Sequence, residues 1–216
     1  MNSIYIKICD NVNVFLIIMQ KLTQKDKILL LMVDELSKNK NFQLSLSNVL
    51  STLRISDKQK EKICNDFLQD GVKSLNLELN NLINKLLKDS KPRGFNEYKI
   101  NERINFFIIE RIKIIDNLID IRKLFKINSK NSSPINLVKT LFNISDEIWF
   151  LTGDKSTDFN FYSKRFILMN IYFLSIVYFS RNRNIQSLQI FVDKQIKAVL
   201  LFGNIKRKFK NIFIPK

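Results

Sequence analysis

Two apolar stripes run along one stretch of this chain, and a helix with two stripes has to be covered on two sides. Leu141, Ile144, Ile148 and Leu151 recur at i, i+3, i+7 and i+10, the spacing of a helix face turned to a core. Asp146, Trp149 and Phe150 fall at i, i+3 and i+4 on a different side, with Phe142 one turn earlier. A surface helix buries one stripe only. The second either fills another side of a central helix or meets a partner. It holds the only Trp of the chain beside an acidic residue, a composition common in protein-binding hot spots. Four glycines and three prolines in 216 residues leave few places to break a helix. An all-α chain is expected, not a many-turned β architecture.

The chain contains no histidine. This excludes His-based acid–base chemistry, His-containing zinc and iron sites and any Ser-His-Asp triad. Cys9 and Cys64 lie far apart without C-x-x-C spacing, which supports neither a zinc knuckle nor a redox pair and suits a reducing compartment. No Gly-rich phosphate loop follows a strand-like run. The reading is therefore a non-enzyme, with no catalytic residue, cofactor or metal. A net charge of +16 invites a polyanion, either nucleic acid or an anionic membrane surface. The excess is mostly lysine in a chain rich in Asn and Ile, which AT-biased coding also produces, so charge alone does not choose between them.

Residues 1–22 read as a poorly ordered extension, with Met19 as an alternative start. Thr23 is positioned to cap a helix through Ser37, with Ile28, Leu29, Met32, Val33 and Leu36 on one face. Asn39 to Gln43 is a polar break, and Ser45 or Ser47 can cap a short helix through Leu53. A turn at Arg54-Ile55-Ser56 leads to another short helix from Asp57, and a long one is expected from Phe67 to Leu87. Asp89 to Asn96 reads as a linker around Pro92 and Gly94. A helix over 99–121 follows, its buried stripe running from Ile100 through Ile104, Phe107, Ile108, Ile112, Ile115 and Leu118 to Ile119, with Arg103 among the residues of its wet side. Asn128 to Ser133 looks like a loop, and Pro134 suits the first turn of the next helix.

That helix should end at Gly153, free to take a left-handed conformation. Ser156 or Asp158 can cap the next one, a role favoured for Asp158 over a carboxylate pair with Asp154. Phe166 to Phe179 is apolar all round and is expected to be central and buried. It is too short to cross a bilayer, which needs about 20 apolar residues. Asn170 and Ser175 within it require partners or a cavity. A helix from Asn184 to Leu201 should close at Gly203. In the final segment Ile205, Phe209, Ile212 and Phe213 share a face, with Lys206, Arg207, Lys208 and Lys210 around them. This is a basic amphipathic helix suited to an anionic membrane interface.

Three short helices followed by a long one resemble the start of a TetR-type regulator, in which Asp57 to Cys64 would be the recognition helix. Its Lys58, Lys60 and Lys62 do not all share a face, and its turn lacks the usual glycine. A degenerate helix-turn-helix over 23–70 is expected, and nucleic acid is disfavoured as a partner. The stretch from Asp146 to Arg165 carries a longer resemblance. It is similar to the motif D-x-I-W-Y-x-A-G-D-x-S-T-D-F-N-W-Y-T-K-R of the coenzyme-Q biosynthesis accessory proteins known as the COQ-nine family. Asp146, Ile148, Trp149, Gly153, Asp154, Ser156, Thr157, Asp158, Phe159, Asn160, Tyr162, Lys164 and Arg165 match in order. Phe150 replaces the usual Tyr, Phe161 the usual Trp and Ser163 the usual Thr. At 150 the apolar contact is kept and the phenol lost.

The resemblance implies a TetR-like fold with a lipid-binding portion over 71–203 and a membrane-contact helix over 204–216. It implies a non-enzymatic helper of ubiquinone biosynthesis that binds an isoprenoid lipid or quinone intermediate and presents it to the hydroxylase of the pathway. Asp146, Trp149 and Phe150 would contact that hydroxylase. The lipid cavity would be lined mainly by the helices containing Ile100–Ile121 and Phe166–Phe179. Leu168, Ile171, Tyr172 and Ser175 of the latter, on a helix without an obvious polar face, are the lining candidates, and Ile205, Lys206, Lys208, Phe209, Ile212 and Phe213 would touch the membrane. The place would be the bacterial inner membrane or the mitochondrial matrix face. A homodimer is compatible with the sequence. The rival reading is a ligand-responsive regulator using Lys58, Lys60 and Lys62 on DNA.

Overall fold

The computed structural model describes residues 22–39, 41–55, 57–155 and 159–213. Among the described residues the chain is all-α, with no strand and nine α-helices. They are α1 (Gln24–Lys38), α2 (Phe42–Thr52), α3 (Asp57–Phe67), α4 (Val72–Asp89), α5 (Ile100–Leu118), α6 (Ile121–Asn131), α7 (Pro134–Thr152), α8 (Phe159–Asn182) and α9 (Ile185–Phe213). A single 3-10 turn, Phe95–Glu97, precedes α5. No described helix is long and apolar enough to cross a membrane. The chain divides into two compact units that interleave in sequence. One comprises the residues up to Leu86 with Ile114–Leu137, and the other Leu87–Lys113 with Val138 onwards.

In the first unit α1 packs on α2 and α6. Thr23 closes a capping box with Asp26, each side chain satisfying a backbone N–H of the first turn. Ile28, Leu29, Met32 and Val33 then enter a core with Leu46, Leu50, Leu75, Leu79 and Ile127. The expected N-cap of α2 is corrected. Asn41 accepts from Leu44 N at 3.1 Å, while Ser45 lies buried within the helix. The glycine absent from the following turn is replaced by a strained arginine. Arg54 sits at φ 51, with its N–H on Ser51 O (3.0 Å) and that of Ile55 on Leu50 O (3.2 Å). This is a Schellman ending, closed by buried Ile55 near buried Leu50.

Other boundaries also differ from expectation. The long fourth helix begins at Val72, after Gly71 at φ 63, and does not run unbroken from Phe67. The expected helix 99–121 ends at Leu118, and Asp120 caps a separate helix by accepting from Arg122 N at 3.0 Å. Part of the expected loop at 128–133 belongs to this α6. Asn128 lies inside it and accepts from Asn76 of α4 at 2.7 Å, so its polarity serves a helix contact. Leu22, expected in the extension, is buried. Residues 1–21 lie outside the described residues.

In the second unit the expected linker has a buried anchor. Phe95 is 5% exposed and meets Phe107 (5.0 Å) and Phe106 (5.4 Å) edge-on. The stripe of α5 is buried at Ile104, Phe107, Ile108, Ile112 and Ile115, whereas Ile100 is 56% exposed and Leu118 is partly buried. α8 and α9 pack together. The expectation that Phe166–Phe179 is buried all round is corrected. Leu168, Ile171, Tyr172, Ser175 and Phe179 are buried, but Phe166, Ile167, Phe173 and Leu174 are exposed. A 24-residue helix with apolar residues on every side gives no periodic signal, so its wet face cannot be picked from spacing. Neither polar residue in this run needs a cavity: Asn170 is exposed and donates to Phe166 O at 2.8 Å, and Ser175 donates to Ile171 O at 2.6 Å. Gly203 does not close a helix either, since α9 continues from Ile185 to Phe213.

Candidate functional site

The matched stretch is positioned by the end of α7. Gly153 takes φ 88 and donates its N–H to Phe150 O at 3.0 Å, and Asp154 N donates to Trp149 O at 3.1 Å. These two bonds make a Schellman motif, with glycine where the backbone requires a positive φ. Arg103, expected on the wet side of α5, reaches across to this terminus. Its guanidinium donates to the Thr152 carbonyl at 3.0 Å and to the carbonyls of Tyr98 and Asn96. A cation on the last carbonyls of a helix is favourably placed against the helix dipole.

Arg165 fastens the start of α8 to the same place. It is 4% exposed and donates to Asp146 Oδ1 at 2.5 Å and to Asp154 Oδ2 at 3.3 Å. It also donates to Phe161 O at 3.2 Å, with its guanidinium 3.3 Å from the Phe161 ring centroid. Lys164 binds Asp154 Oδ1 at 2.8 Å and lies 5.3 Å from the centroid of the Trp149 ring. Two cations therefore face two carboxylates. Asp154, with its side chain 8% exposed, is the shared acceptor. Burying that carboxylate is tolerable because both neighbours neutralise it and hydrogen-bond to it. Asp158, considered beside Asp154 at the sequence level, lies outside the described residues, as does Ser156.

Next to this cluster is a cavity of about 350 Å³, at the lower end of the range for small-molecule pockets, about 300–1,000 Å³. Its deep wall is aliphatic and buried, formed by Ile104 of α5, Leu168 and Ile171 of α8 and Ile196 of α9. Ile167 and Leu200 stand at more exposed positions, and Asn101, Trp149 and Lys164 contribute the polar atoms.

The structure separates residues that spacing had grouped. Of the four lipid-site candidates, Leu168 and Ile171 line the cavity. Tyr172 and Ser175 are fully buried and are not among its lining residues. Tyr172 hydrogen-bonds with buried Arg111, and burial pushes its phenol above the ordinary range. Of the three partner candidates, Phe150 is 66% exposed and Asp146 keeps a half-exposed carboxylate on Arg165. Together with Glu147, Asp154, Lys155 and Phe161 they line a second, open hollow. Trp149, one residue away, borders the apolar cavity instead, and its Nε1 is buried without a hydrogen-bond partner. Adjacent helix residues are about 100° apart, which is enough to place 149 and 150 on different surfaces. Lys58 and Lys62 are exposed on α3, while the side chains of Lys60 and of 205–213 lie outside the described residues. Arg103 and Arg165 carried no role in the reading of spacing, because each acts through a neighbour remote in sequence, and Asn101 and Lys164 gain theirs from the cavity they line.

Residues 135–203, from the first turn of α7 into α9, match the family model described as COQ9. A stretch of 45 residues is 44% identical to the probable ubiquinone biosynthesis protein coq9, mitochondrial, of Dictyostelium discoideum. The similarity covers 21% of this chain and 13% of that relative.

Proposed function

We propose, for a chain that carries a COQ9-family segment over residues 135–203, a non-enzymatic role in ubiquinone biosynthesis. It binds an isoprenoid lipid or quinone intermediate and presents it to a membrane-associated hydroxylase. The observation that carries this reading is the aliphatic cavity walled by Leu168, Ile171, Ile104 and Ile196, the first two and Ile196 lying within residues 135–203. Each CH₂ of an apolar tail costs about 0.8 kcal/mol to expose, so a prenylated intermediate leaves a bilayer only if something covers it. The cavity covers the first part of such a tail, and the rest stays with the membrane.

Phe150, with Asp146 beside it, is the surface offered to the hydroxylase. An exposed aromatic rimmed by charge is the composition of an interface anchor. The basic, aromatic sequence from Ile205 to Phe213 holds the chain to an anionic leaflet. The three short helices and the long α4 agree with a TetR-like arrangement. The place of action is peripheral, at the mitochondrial matrix face in a eukaryote and at the inner membrane in a bacterium. Mass spectrometry of the natively purified full chain tests the reading. A co-purifying prenyl or quinone lipid, lost in a variant with the cavity filled, is the expected result. Lipid-free protein that extracts nothing from quinone-loaded vesicles would overturn it.

A further inference from the structure

The cavity has two chemically different ends. Asn101 lies one turn before Ile104 on α5, and Lys164 lies one turn before Leu168 on α8. The first turn of α5 is held against the end of α7 by the Arg103–Thr152 bond, and Lys164 rests on the Trp149 ring. The amide of Asn101, the indole of Trp149 and the ammonium of Lys164 therefore gather where α5 begins, α7 ends and α8 begins. Ile104, Ile171 and Ile196, all buried, form the opposite end without a polar side chain.

Charge further limits what the polar end accepts. The Lys164 ammonium has three N–H donors, and it donates one of them to Asp154 Oδ1 at 2.8 Å. Asp154 and Asp146 pair with Lys164 and Arg165, so the ammonium offered to the cavity already has a carboxylate beside it. An anion placed there would face the Asp154 carboxylate. An uncharged oxygen would meet N–H donors without that repulsion.

We propose that this end fixes the orientation and chemical class of the occupant: an apolar chain terminating in an uncharged oxygen acceptor. The oxygen sits on Lys164 Nζ and the Asn101 amide, and the chain points toward Ile171 and Ile196. The inference rests on the lipid-binding reading above and adds the head group and the residues that select it. Specificity then resides in Lys164 and Asn101, because a site built to hydrogen-bond an oxygen discriminates against an occupant lacking it far more than an aliphatic wall discriminates between chains.

The test uses the delipidated full chain titrated with 2-decanone, decane and decanoate, read by the fluorescence of Trp149, the only Trp. The ketone should bind about tenfold more tightly than decane, the lower end for a hydrogen bond to a charged donor, and decanoate no more tightly than the ketone. In Lys164→Met the ketone-to-decane ratio should fall toward one. Asn101→Leu, which leaves the ion pairs intact, should lower the same ratio and so separates head-group contact from loss of structure. Equal binding of ketone and decane by the unaltered chain would overturn this inference and leave lipid binding standing. Decanoate binding tenfold above the ketone would refute the uncharged head. Variants that weaken all probes equally would reduce both residues to a structural role. If no probe binds, the lipid-binding reading itself fails.

Discussion

Replacing Ile171 with tryptophan separates a cavity from a filled core. Ile171 is 6% exposed, as expected of a packed residue, yet it faces a space of about 350 Å³ shared with Ile104, Leu168 and Ile196. If that wall were closely packed, the larger ring would be forced off-rotamer at a cost of about 1–3 kcal/mol. For a chain of this length 1 kcal/mol moves Tm by roughly 2–4 °C, so the variant would melt about 2–12 °C lower. With the cavity open beside Ile171, the indole enters it and covers apolar surface that is now incompletely contacted. Filling such a void returns about 24 cal/mol per Å³, which offsets the rearrangement. The expected result is a Tm within roughly 2 °C of the parent, with retention of vesicle-extracted lipid reduced by about tenfold or more, as when a pocket is occluded. Differential scanning calorimetry and lipid quantification on the same preparation measure both. A Tm lower by more than about 6 °C with lipid content unchanged would mean that Ile171 is ordinary core.

Three further changes probe the framework. Arg165→Met removes one of the two cations paired with buried Asp154 and should cost about 3 kcal/mol in chemical denaturation, as breaking a buried ion pair does; a loss below about 1 kcal/mol, the value of a surface pair, would contradict this pairing. Asp34 has its carboxyl held below the ordinary value by hydrogen bonds to Lys123 and then Lys38. That contribution is complete above the unfolded pKa, about 3.9, and lost as pH falls through the lower folded value. Asp34→Asn should therefore reduce Tm at pH 7 and flatten the acid limb, and an unchanged limb below pH 4 would refute the linkage. Arg54→Gly removes a left-handed non-glycine residue at φ 51 and should stabilise by about 0.5–1 kcal/mol, the αL strain being partly cancelled by unfolded-chain entropy. A lower Tm would show that the Arg54 side chain makes a contact worth more than the strain.

The helices and the matched stretch were legible because both are written locally. Breaker scarcity, the Thr23 capping position, Pro134 at the start of α7 and Gly153 at its end depend on residues within a turn or two of one another. The match from Asp146 to Arg165 is likewise a property of consecutive residues. What spacing could not decide was which faces meet something. α8 is apolar around its whole circumference, so its pattern does not say that Leu168 and Ile171 border a cavity, that Tyr172 meets Arg111, or that Phe166 and Phe173 stay exposed. Trp149 and Phe150 shared a stripe by counting, but packing put one beside the cavity and left the other in water. The same holds for Arg103 and Arg165, whose long side chains find a carbonyl 49 residues away and a carboxylate 19 residues away. The local sequence determined that helices form and, at Thr23, Pro134 and Gly153, where they begin or end. Which side chains touch across them was decided by tertiary packing, because burial and charge pairing depend on neighbours brought together from distant parts of the chain.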